Sequence, residues 1–170
     1  MNNPAEPYPE TESTVELLGP RKTALSILDQ VLDRNQPLDY VLECEKDYLE
    51  LSERDKAFVR MVVATTLRRL GQVDDFIVKS SDRKELPKPY SLHNLLRMAA
   101  TQIAFMAVPD YAVVDTAVRL AEECGMSRQK GFVNAVLRRV TENHKDLVAK
   151  QDEVRLNTPE WLLQIWIADY

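Results

Sequence analysis

Apolar residues recur along most of this chain every three or four positions, with polar residues between them. That period belongs to helices that turn one side to a core. The pattern predicts a first helix from near Pro20, a good first-turn residue, to about Arg34. Its core face holds Ala24, Leu25, Ile27, Leu28, Val31 and Leu32. A turn at Asn35–Pro37 leads to a second helix, about Leu38 to Tyr48, acidic on its outer side. Ser52 opens a third with a capping pattern, Ser52-x-x-Asp55, and a stripe of Phe58, Val59, Val62, Val63, Leu67 and Leu70. Gly71 is expected to bend or break this helix, which resumes through Val73, Phe76 and Ile77. Ser80 to Pro89 reads as a loop.

The stretch from about Ser91 to Met106 is apolar on nearly every side, which places it in the middle of a bundle. Of its polar exceptions, His93 is expected to be exposed, and Arg97 to reach the surface or pair with a carboxylate. A further helix, Asp110 to Cys124, stops at Gly125. Ser127 is expected to cap a helix running to Val140, with Phe132, Val133, Val136, Leu137 and Val140 on one face. Residues 143–157 read as a short helix and linker. Thr158-Pro159-Glu160 opens a last segment that holds both tryptophans, Trp161 and Trp166. Apolar residues this dense must fold back on the bundle or meet a following domain. The fold class is therefore all-α, a bundle around a buried central helix.

Composition agrees. The 170 residues are 45% hydrophobic and include only four glycines, which suits helices better than turn-rich sheets. No apolar run approaches the ~20 residues that span a bilayer, and no basic-then-apolar leader opens the chain. No membrane contact and a cytoplasmic location are the expectation. Cys44 and Cys124 lack a CxxC spacing and are expected to be free, buried thiols. The formal charge is −5, but Glu6, Glu10, Glu12 and Glu16 carry four of those charges in the first twenty residues. Residues 1–19, proline-rich and acidic, read as a flexible tail, and the body is near neutral.

Chemistry for a self-contained enzyme is absent. No glycine-rich phosphate loop, dinucleotide fingerprint or GxSxG elbow occurs, and two histidines at no ligand spacing make a zinc site improbable. The feature left over is SRQKGFVNAVLRRV, Ser127 to Val140, with four basic residues and no acidic one. Lys130, Asn134 and Arg138 sit four apart and share the face opposite the apolar stripe. Such a helix can hold itself to a core and offer charge to a polyanion, although a solvated face gives the same pattern.

Three stretches together resemble one family: LSERDKAFVRMVVATTLRRL (51–70), VPDYAVVDTAVRLAEECG (108–125) and KGFVNAVLRR (130–139). Their order and spacing resemble the NusB fold. More closely, they resemble the NusB-like amino-terminal domain of the bacterial small-subunit ribosomal RNA cytosine-C5 methyltransferases (the RsmB/Sun/Fmu family). The resemblance implies a NusB-like RNA-binding bundle of about six or seven helices around the buried central helix, over residues 20–142. Residues 143–170 would be a linker and the start of a connection to a methyltransferase domain in cis, which uses S-adenosylmethionine. No catalytic residue, metal or cofactor is implied for this chain itself, and the expected state is a monomer. By position, the RNA-facing residues would be Arg21, Lys22, Arg54, Lys56, Arg128, Lys130, Phe132, Asn134 and Arg138. Phe132, at the edge of the apolar stripe, has two readings: core packing, or stacking on an unpaired base. Four single-strand phosphate contacts would give a slope of about −3 in log K against log salt. The alternative is a stand-alone NusB-type antitermination factor that binds RNA with a ribosomal-protein partner. Stand-alone members resemble one another in a richer arginine cluster opening the first helix, where this chain has Arg21 and Lys22. A third reading is an interaction domain whose basic faces are merely solvated.

Overall fold

In the computed structural model, which describes residues 12–82 and 88–169, the chain forms ten α-helices and, among those residues, no strand. They are α1 (Glu12–Leu32), α2 (Leu38–Cys44), α3 (Lys46–Leu49), α4 (Glu53–Arg68), α5 (Leu70–Ser81), α6 (Tyr90–Phe105), α7 (Asp110–Glu123), α8 (Lys130–Lys150), α9 (Glu153–Asn157) and α10 (Glu160–Asp169). A 3₁₀ turn, Ser127–Gln129, precedes α8.

The helix that is apolar all round is the axis of the bundle. α6 touches α1, α4, α5, α7 and α8, and buries Leu92, Leu95, Leu96, Met98, Ala99, Ala100 and Ile103. Removing one such leucine side chain costs about 2–5 kcal/mol. Its polar residues are satisfied inside the bundle. Arg97 pairs with Asp74 of α5 through two bonds of 2.7 Å, Nε to Oδ1 and Nη2 to Oδ2. His93 is buried, not exposed as its sequence position suggested, because Asp74 Oδ1 lies 3.0 Å from its Nε2. Arg97 also donates to Asn94 at 3.0 Å, and Asn94 donates to Asp29 of α1 at 2.7 Å. Burial alone would raise the Asp74 carboxyl, but the hydrogen bonds from Arg97 and His93 hold it below its ordinary value. Asp33 goes the other way, raised by burial and by neighbouring Asp29.

Several boundaries differ from the sequence reading. α1 starts at Glu12 with Pro20 inside it, so the expected tail is helical from Glu12. The part before Glu12 lies outside the described residues. The expected 38–48 helix is interrupted at Glu45, whose backbone is extended, giving α2 and α3. The break expected near Gly71 falls at Arg69, and Ser52 does cap α4, accepting from Asp55 N–H at 3.2 Å. Ser127 does not cap α8. It opens the 3₁₀ turn, and Gln129 precedes α8 without a side-chain cap. Only part of the expected 80–89 loop is described; residues 83–87 are outside it.

α7 ends as the glycine predicted. Gly125 has φ +77°, its N–H donates to Glu122 O at 3.2 Å, and Met126 N–H reaches Ala121 O at 2.7 Å, a Schellman closure. The largest departure lies after residue 142. α8 continues to Lys150, and α9 docks on α5, where only a glycine at position 71 leaves room for the Leu156 carbonyl. The expected linker is thus bundle up to Asn157. Asn157 and Gln151 close this contact on Gln72, which is itself buried. α10 buries none of its residues. Cys44 is exposed, not buried; Cys124 is half-buried, and burial pushes its thiol up.

Candidate nucleic-acid interface

α8 turns Val133, Val136, Leu137 and Val140 into the core, so helical geometry forces Lys130, Asn134 and Arg138 outward on one line. That line does not face open solvent alone. It forms one wall of a groove of about 940 Å³ whose other wall is α7. From α7 come Asp110, Tyr111, Val114, Asp115 and Val118; α8 adds Gly131, Thr141 and Glu142. Lys130, Asn134 and Arg138 thus stand about 6 Å apart along the helix axis, by the 1.5 Å rise per residue.

The electrostatics are mixed. Lys130 Nζ bonds Glu122 at 3.0 Å, and Arg119 bonds Asp115 at 3.0 Å. Arg138 is exposed and has no ion pair among the described residues. An exposed pair such as Lys130–Glu122 holds about 0–1 kcal/mol, so a phosphate can take the lysine over. The carboxylates of Asp110, Asp115 and Glu142 make the groove unfit as a continuous phosphate trough.

The other residues expected to face RNA are not brought here. Arg21 is turned inward, 7% exposed, donating to Gln102 at 3.2 Å and lying 4.8 Å over the Phe58 ring. Burial lowers its pKa from the ordinary guanidinium value. An aromatic face and an amide hold it, which the sequence could not reveal. Lys22 stays exposed, 4.0 Å from Glu123, beside a smaller cleft of about 250 Å³ that also takes in Arg34 and Cys124. Arg54 is exposed at the start of α4; Lys56 is paired with Glu53 at 3.1 Å. Arg128 is exposed in the 3₁₀ turn. Phe132 is half-buried and packs against the core, its first reading.

Sequence reasoning missed Tyr111, which is 80% exposed at the rim of the groove. The signal was available: an aromatic residue off the apolar stripe of its own helix. Among the described residues no group of three or more His, Cys, Asp or Glu is placed to hold a metal. None of the described helices is long and apolar enough to cross a membrane.

A family model described as the NusB family matches residues 19–142. Ribosomal RNA small subunit methyltransferase B from Escherichia coli O157:H7 is 28% identical over 146 residues, 85% of this chain and 34% of that protein. Its counterpart in Shigella boydii serotype 18 has the same identity and coverage. The chain therefore spans about a third of the length of these curated relatives, 34%. Among solved structures, T. maritima NusB superposes with a TM-score of 0.64 at 21% identity, covering 77% of this chain and 94% of that one. NusB from Aquifex aeolicus gives 0.63 at 19%, covering 84% and 95%. A chain in the crystal structure of a plectonemic RNA supercoil gives 0.62 at 21%, covering 79% and 98%. At these identities the structural likenesses establish the fold.

Proposed function

The chain belongs to the NusB family, and from that premise we propose that it is the RNA-binding module of a ribosomal RNA cytosine-C5 methyltransferase. The observation that carries the reading is the line of Lys130, Asn134 and Arg138 along one wall of the α7–α8 groove. Two cations flank an amide: the cations suit phosphates, and an amide side chain suits a base edge. The partial likeness to small-subunit methyltransferase B supports the choice of RNA. The module would hold ribosomal RNA beside a catalytic domain in cis, which would supply S-adenosylmethionine and the methyl transfer. α10 supports that arrangement, because Trp161, Ile165, Trp166 and Ile167 are each about half exposed or more, and the relatives extend well beyond the matched part. The module itself contributes binding and orientation, as a monomer in the cytoplasm.

The test is a titration of the 170-residue chain with small-subunit ribosomal RNA fragments and length-matched unrelated RNA at several salt concentrations. Salt-sensitive binding that prefers the ribosomal fragments is expected. Equal binding of unrelated RNA removes the ribosomal target, and no salt-dependent binding overturns the reading. A second reading, a stand-alone antitermination factor, draws on the near-complete coverage of the NusB chains, 94% and 95%. It predicts that RNA affinity rises sharply when a ribosomal-protein partner is added.

A further inference from the structure

The groove between α7 and α8 has a composition that a phosphate site would not have. Its floor is apolar at Val114 and Val118, and an exposed tyrosine ring, Tyr111, stands at its rim. The Asn134 side chain makes no hydrogen bond within the described residues, nor do those of Asp110 and Glu142. Three polar groups thus face an apolar floor with capacity to spare, and two of them accept hydrogen bonds only.

A string of phosphates is repelled by Asp110 and Glu142, whereas a neutral ring is not. An aromatic face beside an apolar floor is a stacking platform for a base, which must be unpaired to offer its own face. The carboxylates then select among bases. A carboxylate accepts from an exocyclic amino group, such as cytosine N4, while an asparagine matches adenine at N6 and N7. Unpaired uracil offers a carboxylate only its N3–H, set between the O2 and O4 acceptors that the carboxylate repels, so it is the poorer partner. Lys130 and Arg138 stand on either side of Asn134, about 12 Å apart along the α8 axis, a spacing that suits phosphates on either side of a nucleotide pair. The volume of about 940 Å³ falls within the range of small-ligand clefts, enough for one or two nucleotides.

We propose that this groove is a subsite for unpaired, amino-bearing nucleobases, one stacked on Tyr111 and read by Glu142, and a neighbour read by Asn134 about 12 Å further along α8. The proposal rests on the RNA-binding reading above and narrows it to one nucleotide class at one place.

The test uses the full chain and fluorescein-labelled hexamers of adenylate, cytidylate and uridylate, followed by fluorescence anisotropy at low salt. The adenylate and cytidylate hexamers are expected to bind about tenfold more tightly than uridylate, the discrimination of one good base contact. Tyr111→Ala should weaken both amino-bearing hexamers about tenfold, and Tyr111→Phe should preserve them. Glu142→Gln should remove the preference against uridylate, since an amide also donates. Tyr111 and Glu142 are both exposed, so the variants keep the bundle. Equal affinities for all three hexamers, unmoved by Tyr111→Ala, overturn the subsite. If the ribosomal fragments still bind in that case, the RNA-binding reading stands without it. If no RNA binds, that reading fails and the subsite fails with it.

Discussion

Replacing Gly71 by alanine tests how the end of the chain is held to the bundle. A Cβ at this position would fall inside the van der Waals envelope of the Leu156 carbonyl, a backbone group that cannot rotate away. α9 would have to lift from α5. The hydrogen bond from Gln72 N–H to Asn157 at 3.0 Å and that from Asn157 to Gln72 at 2.8 Å would go with it. Gln72 is 1% exposed, so its amide would lose partners in a buried place. Two bonds at about 1 kcal/mol each, plus about 1–3 kcal/mol for burying an unpaired amide, come to about 3–5 kcal/mol. The helix-propensity gain of alanine over glycine offsets up to ~1 kcal/mol, leaving a net loss of about 2–5 kcal/mol.

Gly131 is the matched control. It is also the second residue of its helix, and a Cβ there meets nothing within 4 Å. Gly131→Ala should therefore stabilise by up to ~1 kcal/mol. Urea denaturation followed by circular dichroism gives both values. Limited trypsinolysis after Arg155, within α9, gives an independent readout and should accelerate in Gly71→Ala alone. A Gly71→Ala protein as stable as Gly131→Ala, with unchanged cleavage, would refute the docking of α9.

Asp74→Ala leaves the largely buried Arg97 and His93 side chains without their carboxylate, and should cost about 3 kcal/mol in urea denaturation. Because the Asp74 carboxyl is held low, its contribution is complete above the ordinary carboxylate pKa of about 4. It is lost as pH falls from there through the lowered value, and Asp74→Asn should remove that part of the acid transition. Asp33 has the opposite sign: its protonated form is favoured in the fold, so its contribution is lost as pH rises through the raised value. Asp33→Asn should therefore raise Tm at pH 7, with the advantage gone below about pH 4. A chain ended after Asn157 lacks α10, none of whose residues is buried. Its thermal midpoint should stay within about 2 °C of the full chain, under 1 kcal/mol for a protein of this size.

What could be read from sequence was what a single helix decides for itself. The all-round apolar run of α6, the Ser52 cap, the Gly125 stop and the shared face of Lys130, Asn134 and Arg138 all come from local period and local chemistry. What could not be read depends on a partner far away in the chain. His93 reads as exposed until Asp74 is beside it, and Arg21 reads as a surface cation until Gln102 and Phe58 enclose it. Gly71 reads as a helix breaker, but the Leu156 backbone is what excludes a side chain there. Pro20 reads as a helix start because its missing N–H suits the first turn, yet α1 runs through it. The groove itself is a relation between α7 and α8, so no period in either helix announces it. Enclosed by Gln102 and Phe58, Arg21 drops out of the expected phosphate contacts, which at the groove are Lys130 and Arg138.

The most direct measurement is the RNA affinity of the wild-type chain and of the Lys130→Ala, Asn134→Ala, Arg138→Ala triple variant across a series of salt concentrations. Two single-strand phosphate contacts predict a wild-type slope of about −1.4 in log K against log salt. The triple variant should lose about 2–4 kcal/mol of binding, roughly 30-fold or more, and its slope should approach zero while its unfolding midpoint is unchanged. An affinity and slope identical to wild type in a folded triple variant would contradict RNA recognition by this face of α8.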